Sequence, residues 1–416
     1  MKARGPGQAL GATPPFAWDG DGGSGTHGRH PRDPGPFPPA PAHNGKESLA
    51  SCHRPTPLIR LLLACAASLM LYFACFGLVL DRPLAFGWLR HEIDARLARG
   101  AAIDGPKLVI LAGSNGPYSH RCAIIGPLLH LPCVNAGVAV GIGLDYLFAR
   151  WRPLLHPGDV IYMPMEEAQY VRDRAANALG PDAAIMLRHD RATLAQLPPR
   201  RWLGALFSYD LRGALMAVIE TALAAGGFHD PRAAFDGTSN AMGDHVGHTA
   251  ALALANAAAL RSVRPYHPAA AQIRAGYGSV LIARFLDWAR AHGVTVIGGL
   301  PTGFDDSPIP NATIAAIRAI YDSHGALFLE LPNRSRYPRG AFFDTADHLN
   351  ETWQAVHSLA VACGLAPLVP GTLHLAASVA ACHARQPRND TAVAEHRAPG
   401  PVPDPNEIPS SLRASQ

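Results

Sequence analysis

Five short runs of apolar, β-prone residues, at 107–112, 133–138, 159–163, 294–299 and 326–331, punctuate this chain, and stretches of helical periodicity lie between them. Each run is apolar at consecutive rather than alternate positions, the pattern of a strand covered on both faces. Strands of that kind alternating with helices form a parallel sheet, because each parallel pair needs a crossover long enough to hold a helix. The spacing predicts an α/β protein, a three-layer α/β/α sandwich around a five-stranded parallel sheet. Turn residues introduce two of the runs, Pro157-Gly158-Asp159 and His292-Gly293-Val294.

Helices are expected at 143–155, 270–292, 311–324 and 350–363, where apolar residues recur three and four positions apart. The Ala-rich region 172–258 does not alternate in this way and reads as a helical insertion beside the site, within a domain spanning 100–370. Ahead of that domain, residues 61–80 carry no charge and are rich in Leu, Ala and Phe. At about 1.5 Å per residue such a helix crosses a hydrocarbon core of roughly 30 Å. One transmembrane helix is therefore expected. Arg54 and Arg60 precede it and Arg82 and Arg90 follow it, so charge alone does not orient it. A single early anchor helix of this kind implies a cytoplasmic amino terminus and a main domain outside. Residues 1–55 and 386–416 lack apolar periodicity and read as disordered tails.

The net charge of +4 over 416 residues, without aromatic interleaving of the basic residues, excludes a nucleic-acid surface. None of the seven cysteines forms a metal-ligand spacing. Cys122 and Cys133 are close enough in sequence to pair in an oxidising compartment, although buried free thiols are the expected state. His245 and His248 near Asp244 lie in a Gly-rich polar loop without a fourth ligand, so no metal and no cofactor are expected.

Two distant segments carry the chemistry. The run Lys107-Leu108-Val109-Ile110-Leu111-Ala112 ends in Gly113-Ser114-Asn115, and far downstream lies Asp344-Thr345-Ala346-Asp347-His348-Leu349-Asn350. A serine hydroxyl becomes a nucleophile when an imidazole takes its proton and a carboxylate holds that imidazole in one tautomer. Ser114, His348 and Asp344 are the candidates. Asp344 is preferred to Asp347 because adjacent residues rarely face one another. The plainer readings are a turn serine and a surface histidine ahead of a helix that Asn350 caps.

In their order, these segments resemble the SGNH/GDSL hydrolase superfamily, and more narrowly its membrane-anchored bacterial members associated with acylation of surface polysaccharides. The resemblance covers roughly residues 107–365. It implies a flavodoxin-like sheet, Ser114 as nucleophile, His348 as general base and Asp344 as its orienter. It also implies that Gly137, in Val134-Asn135-Ala136-Gly137-Val138, supplies an oxyanion donor. The family's third block places an Asn after the third strand, whereas this chain reads Met163-Pro164-Met165-Glu166-Glu167. A carboxylate donates no hydrogen bond unless protonated. Asn115 or Asn135 would then have to replace that donor, and Glu166 would bind a substrate hydroxyl or an arginine. The expected activity is that of a serine esterase or O-acyltransferase on a carbohydrate or envelope polysaccharide. The expected setting is the inner membrane, with the domain in the periplasm and a membrane acyltransferase as a partner. The alternative is a silent SGNH-fold protein that binds polysaccharide or scaffolds an export complex.

Overall fold

The computed structural model describes residues 56–79, 88–208 and 239–370, with single positions between 215 and 226. The two expected tails, and with them Cys52 and Cys382, lie outside the described residues. Strands β1 (Leu108–Ile110), β2 (Cys133–Asn135), β3 (Val160–Met163), β4 (Thr295–Gly299), β5 (Gly303–Phe304), β6 (Leu327–Leu329) and β7 (Arg336–Tyr337) follow in chain order. Five of them form one parallel sheet in the order β2-β1-β3-β4-β6. Each falls within one of the five apolar runs of the sequence. A second sheet, β5 paired in parallel with β7, was not expected.

The consecutive apolar residues of each strand divide between two hydrophobic clusters. Val109, Val134, Ile161 and Val296 pack with the helices Trp88–Ala101, Leu144–Trp151, Tyr277–Ala291 and Asn311–Ser323. Leu108, Ile110, Val160, Tyr162 and Ile297 pack with Cys122–Leu129 and Glu351–Leu365. The two-residue period of a strand thus sends alternate side chains to opposite faces.

The single helix expected over 270–292 is instead two, Ala270–Ala275 and Tyr277–Ala291, with Gly276 extended between them. A Cβ at Gly276 would collide with the Tyr170 carbonyl, so the break lets the chain pass tightly against a neighbouring helix. Within 172–258 the described residues include the helices Arg174–Ala178, Asp182–His189, Arg191–Gln196, Pro199–Leu206 and Ala250–Ala253. At the amino-terminal end, helix Pro57–Val79 is the one helix among the described residues long and apolar enough to cross a membrane, with a mean hydropathy of 2.1 over 57–75.

Two features fasten the strands that carry the site. Lys107 Nζ lies 2.8 Å from Asp159 Oδ2, with both side chains fully buried, and the Lys107 N–H also donates to Asp159 at 3.0 Å. This pair ties the start of β1 to the start of β3. Removing one partner strands a buried charge, so Lys107→Met should destabilise the domain by about 3–5 kcal/mol in a denaturant titration. Cys122 and Cys133 correct the expectation of free thiols. They form a disulfide that joins the start of helix Cys122–Leu129 to the start of β2, with Cα atoms 5.3 Å apart. Cys363 is disulfide-bonded as well. Closing so short a loop restricts the unfolded chain, and replacing both Cys122 and Cys133 by Ala should lower stability by about 3 kcal/mol, read as a lower denaturation midpoint.

Candidate active site

Strand β1 delivers the chain to Gly113 and Ser114, and Ser114 stands at the N-cap position of the short helix Asn115–Ser119 without a capping bond from its side chain. Strand β3 delivers Met165 and Glu166 beside it. A Cβ at Gly113 would collide with Glu166 Oε1, so glycine at this turn is what admits the carboxylate. Ser114 Oγ donates to Glu166 Oε1 at 3.3 Å, and the Asn115 N–H donates to the same oxygen at 3.2 Å. Among the described residues Glu166 Oε2 makes no hydrogen bond, and Glu166 forms no ion pair.

Burial pushes the Glu166 carboxyl up to about 7, with the nearby Asp347 charge adding to it; His348, the Asn115 N–H and Ser114 act the other way. A carboxyl in that position carries its proton for much of the time at neutral pH. As the acid, Glu166 gains a hydrogen-bond donor that the carboxylate lacks.

His348 sits in the segment that leads into helix Glu351–Leu365. A bridge between Phe342 and Leu349 and a 2.8 Å bond from the Phe343 N–H to the His348 carbonyl close this loop on itself. Asn350 caps the following helix by accepting from the Trp353 N–H. Asp344, four residues earlier, holds His348 Nδ1 at 2.7 Å. The other face of the site comes from Tyr118, one turn beyond Ser114, whose ring lies parallel to that of His348 with centroids 4.0 Å apart. His245 stacks on the opposite face of Tyr118, also at 4.0 Å.

Burial would lower the His348 pKa, but the hydrogen bond and charge of Asp344, with Glu166 and Asp347 nearby, raise it above the ordinary value. Burial would raise the Asp344 carboxyl, but its hydrogen bond to His348 and the charges of His348, His245 and His248 together hold it below its ordinary value. Among the described residues His348 Nε2 makes no hydrogen bond, and none joins His348 to Ser114; the serine is turned to Glu166 instead.

The remaining predicted residues lie in the surrounding scaffold. Asn135 is fully buried, and its Nδ2 donates to the Gly116 and His120 carbonyls and to Asp244, which leaves no hydrogen for an oxyanion. Asn115 Nδ2 is equally buried and donates to the Pro164 carbonyl at 2.8 Å. Both amides hold the loops rather than face a ligand. The Gly137 N–H reaches Asn135 Oδ1 at 3.4 Å, a long contact, and Gly137 packs against Gly113 and Gly116 with no room for a Cβ. Ser114's own N–H donates to no group among the described residues. Asp244 caps helix Cys122–Leu129 through the Cys122 and Ala123 N–H groups. Among the described residues no cluster of His, Cys, Asp or Glu is arranged to hold a metal ion.

A cleft of about 120 Å³ opens beside Glu166 and Asp347, lined also by Glu167, Tyr266, His267 and Arg336. Glu167 pairs with His267 Nδ1 at 2.8 Å. Arg336 spends two of its donors on the Pro301 and Arg334 carbonyls. His267 and Arg336 have no spacing relation to Ser114 or His348 in the sequence, and only the fold brings them here, whereas Tyr118 follows Ser114 by one helical turn. The chain was also compared with protein-family models, with curated proteins and with solved structures, and none of the three comparisons finds a match.

Proposed function

We propose that this protein is a membrane-anchored, SGNH-like serine esterase or O-acyltransferase acting on a carbohydrate or envelope polysaccharide. The observation that carries the reading is the convergence of Ser114, Glu166 and the Asp344–His348 pair on one loop cluster beside an open cleft. The sheet order, numbered within the sheet as 2-1-3-4-5, and the helix-packed cores on both of its faces support the three-layer, flavodoxin-like expectation. The apolar helix Pro57–Val79 supports the anchor. The Cys122–Cys133 disulfide favours an oxidising compartment, hence a periplasmic domain on an inner-membrane helix.

In this mechanism Ser114 Oγ rotates from Glu166 toward the acyl carbon while His348 Nε2 takes its proton. The tetrahedral oxyanion accepts hydrogen bonds from the Ser114 N–H, from Gly137 N–H after a small adjustment, and from the proton on Glu166 Oε2. Collapse of the intermediate expels the donor alcohol, which recovers the proton from His348. Water or a sugar hydroxyl then resolves the acyl-serine, giving hydrolysis or transfer. Asp344 keeps Nδ1 protonated, so that Nε2 is the basic nitrogen.

Turnover of p-nitrophenyl acetate by the wild-type protein, absent from Ser114→Ala, tests this reading. The second reading, a silent polysaccharide-binding or scaffold protein, is favoured by the missing Ser114–His348 hydrogen bond. It predicts a folded wild-type protein with no turnover of any acyl ester.

A further inference from the structure

We propose that helix Pro199–Leu206, with Phe207 at its end, forms a second membrane contact, a surface that rests on an anionic bilayer through an apolar face and an arginine-lined cleft. The proposal rests on the anchored reading above only in that it requires a bilayer next to helix Pro57–Val79.

Helix Pro199–Leu206 is turned the opposite way from an ordinary surface helix. Its buried face is Arg201, Gly204 and Ala205. Arg201 is almost fully buried and bonded to Asp182, with Asp145 3.3 Å away, and Gly204 abuts the Ala178 carbonyl. That ion pair fixes the helix on the domain and turns Trp202 and Leu203 outward, 38% and 60% exposed, with Phe207 just beyond at 46%. Further along, the described residues Leu215, Val218, Ile219 and Leu223 are likewise 42–58% exposed. An exposed apolar face of this extent needs a partner.

The anchor helix identifies that partner. Phe207 stacks on Tyr72 at 5.6 Å and lies 6.1 Å from Phe73. Tyr72 is seven residues inside the end of helix Pro57–Val79, so about 10 Å down an apolar helix. Phe207 therefore shares the depth of a residue within the hydrocarbon-crossing segment. An amphipathic stretch with Trp at its margin and its apolar face at that depth lies in a membrane interface.

The charge beside it fits the same partner. Next to Trp202 opens a cleft of about 470 Å³ lined by Arg174, Arg200, Arg201 and Arg284, with Asp145 as its acid. Asp145 lies beside Arg201. Arg174 stacks over Tyr277, and all three of Arg174, Arg200 and Arg284 are exposed and form no ion pair among the described residues. Three unpaired guanidinium groups at the edge of an interfacial apolar face suit phospholipid phosphates, which guanidinium binds through two parallel hydrogen bonds.

The test uses the full-length protein in lipid nanodiscs, with acyl chains brominated and headgroups of either phosphatidylcholine alone or a mixture with phosphatidylglycerol. The emission of Trp202 is read as the difference between wild type and Trp202→Phe. The expected result is quenching of Trp202 by the brominated chains, stronger with phosphatidylglycerol, and loss of that headgroup dependence when Arg174, Arg200 and Arg284 are all changed to Glu. Those side chains are exposed and unpaired, and an unchanged circular dichroism spectrum confirms that the triple variant folds. Absence of Trp202 quenching in both lipids would overturn the proposal, as would quenching indifferent to headgroup charge and to the three arginines. Binding of inorganic phosphate to the cleft without Trp202 quenching would also overturn it, since the ligand would then be a free anion. Alkaline carbonate extraction reads the anchor separately. A chain stripped from membranes would overturn anchor and surface together, and neither result bears on the serine chemistry.

Discussion

Ser114→Ala is expected to lower turnover of an activated ester by about 10⁴-fold or more, because no other group replaces a lost nucleophile and the rest of the site contributes only a residual acceleration. The same change removes one long hydrogen bond, that from Ser114 Oγ to Glu166 at 3.3 Å. Its effect on stability should therefore stay at or below about 1 kcal/mol. A steady-state assay read beside a denaturant titration separates the two quantities. Loss of activity with an unmoved midpoint is the predicted pair of results, and full activity in the variant would remove Ser114 from the mechanism. His348→Ala should fall to a similar level, since nucleophile and base act as one unit.

Substitutions at Glu166 should separate sharply according to what replaces the carboxyl. With its pKa pushed up to about 7 by burial, Glu166 in the proposed mechanism is a protonated donor below that pH and loses the role above it. His348 has the opposite requirement: its pKa is raised, and it is a base only above that value. The proposed mechanism therefore needs one proton shared between these two groups, and the wild-type profile should be a narrow bell. Glu166→Gln keeps a neutral donor at all pH values. It should stay within about tenfold of wild type at neutral pH and lose the alkaline limb, since no carboxyl remains to ionise. Its acid limb, set by His348, should stay close to that of wild type, because on that side of the profile the Glu166 carboxyl is already neutral. Glu166→Ala removes the donor and should cost about 10²–10³ in kcat. The pH dependence of kcat/KM for the three proteins checks this. A Gln variant as inactive as the Ala variant would instead assign Glu166 the role of a carboxylate base.

The five strands were legible in the sequence because a strand buried on both faces leaves an unbroken apolar run, and Val109 and Ile110 show that signature by packing into different clusters. The interruption at Gly276 was not legible, since the apolar spacing continues through it and the cause is the carbonyl of Tyr170, a residue more than a hundred positions away. Strands β5 and β7 are two residues each, too short for any periodicity. The Cys122–Cys133 pairing depends on where a helix begins relative to a strand, which spacing alone does not give. At the candidate site, the Asp344–His348 contact was open to inference because its members are four residues apart. The contact of Ser114 with Glu166 spans 52 positions. It was visible only as an anomaly, an acid where the resembling family has an amide. Asn115 and Asn135 show that residue type alone does not decide: an asparagine beside a serine turn is equally suited to face a ligand or to satisfy buried carbonyls, and here the Nδ2 of each donates to backbone carbonyls.

The most direct test of the account is labelling of the full-length, detergent-solubilised protein with a fluorophosphonate, which reacts only with a serine whose proton is being drawn away. The account predicts a stable adduct on the peptide bearing Ser114, absent from Ser114→Ala and strongly reduced in His348→Ala. A folded wild-type protein that takes up no label, or an equal yield of label in Ser114→Ala, would contradict it.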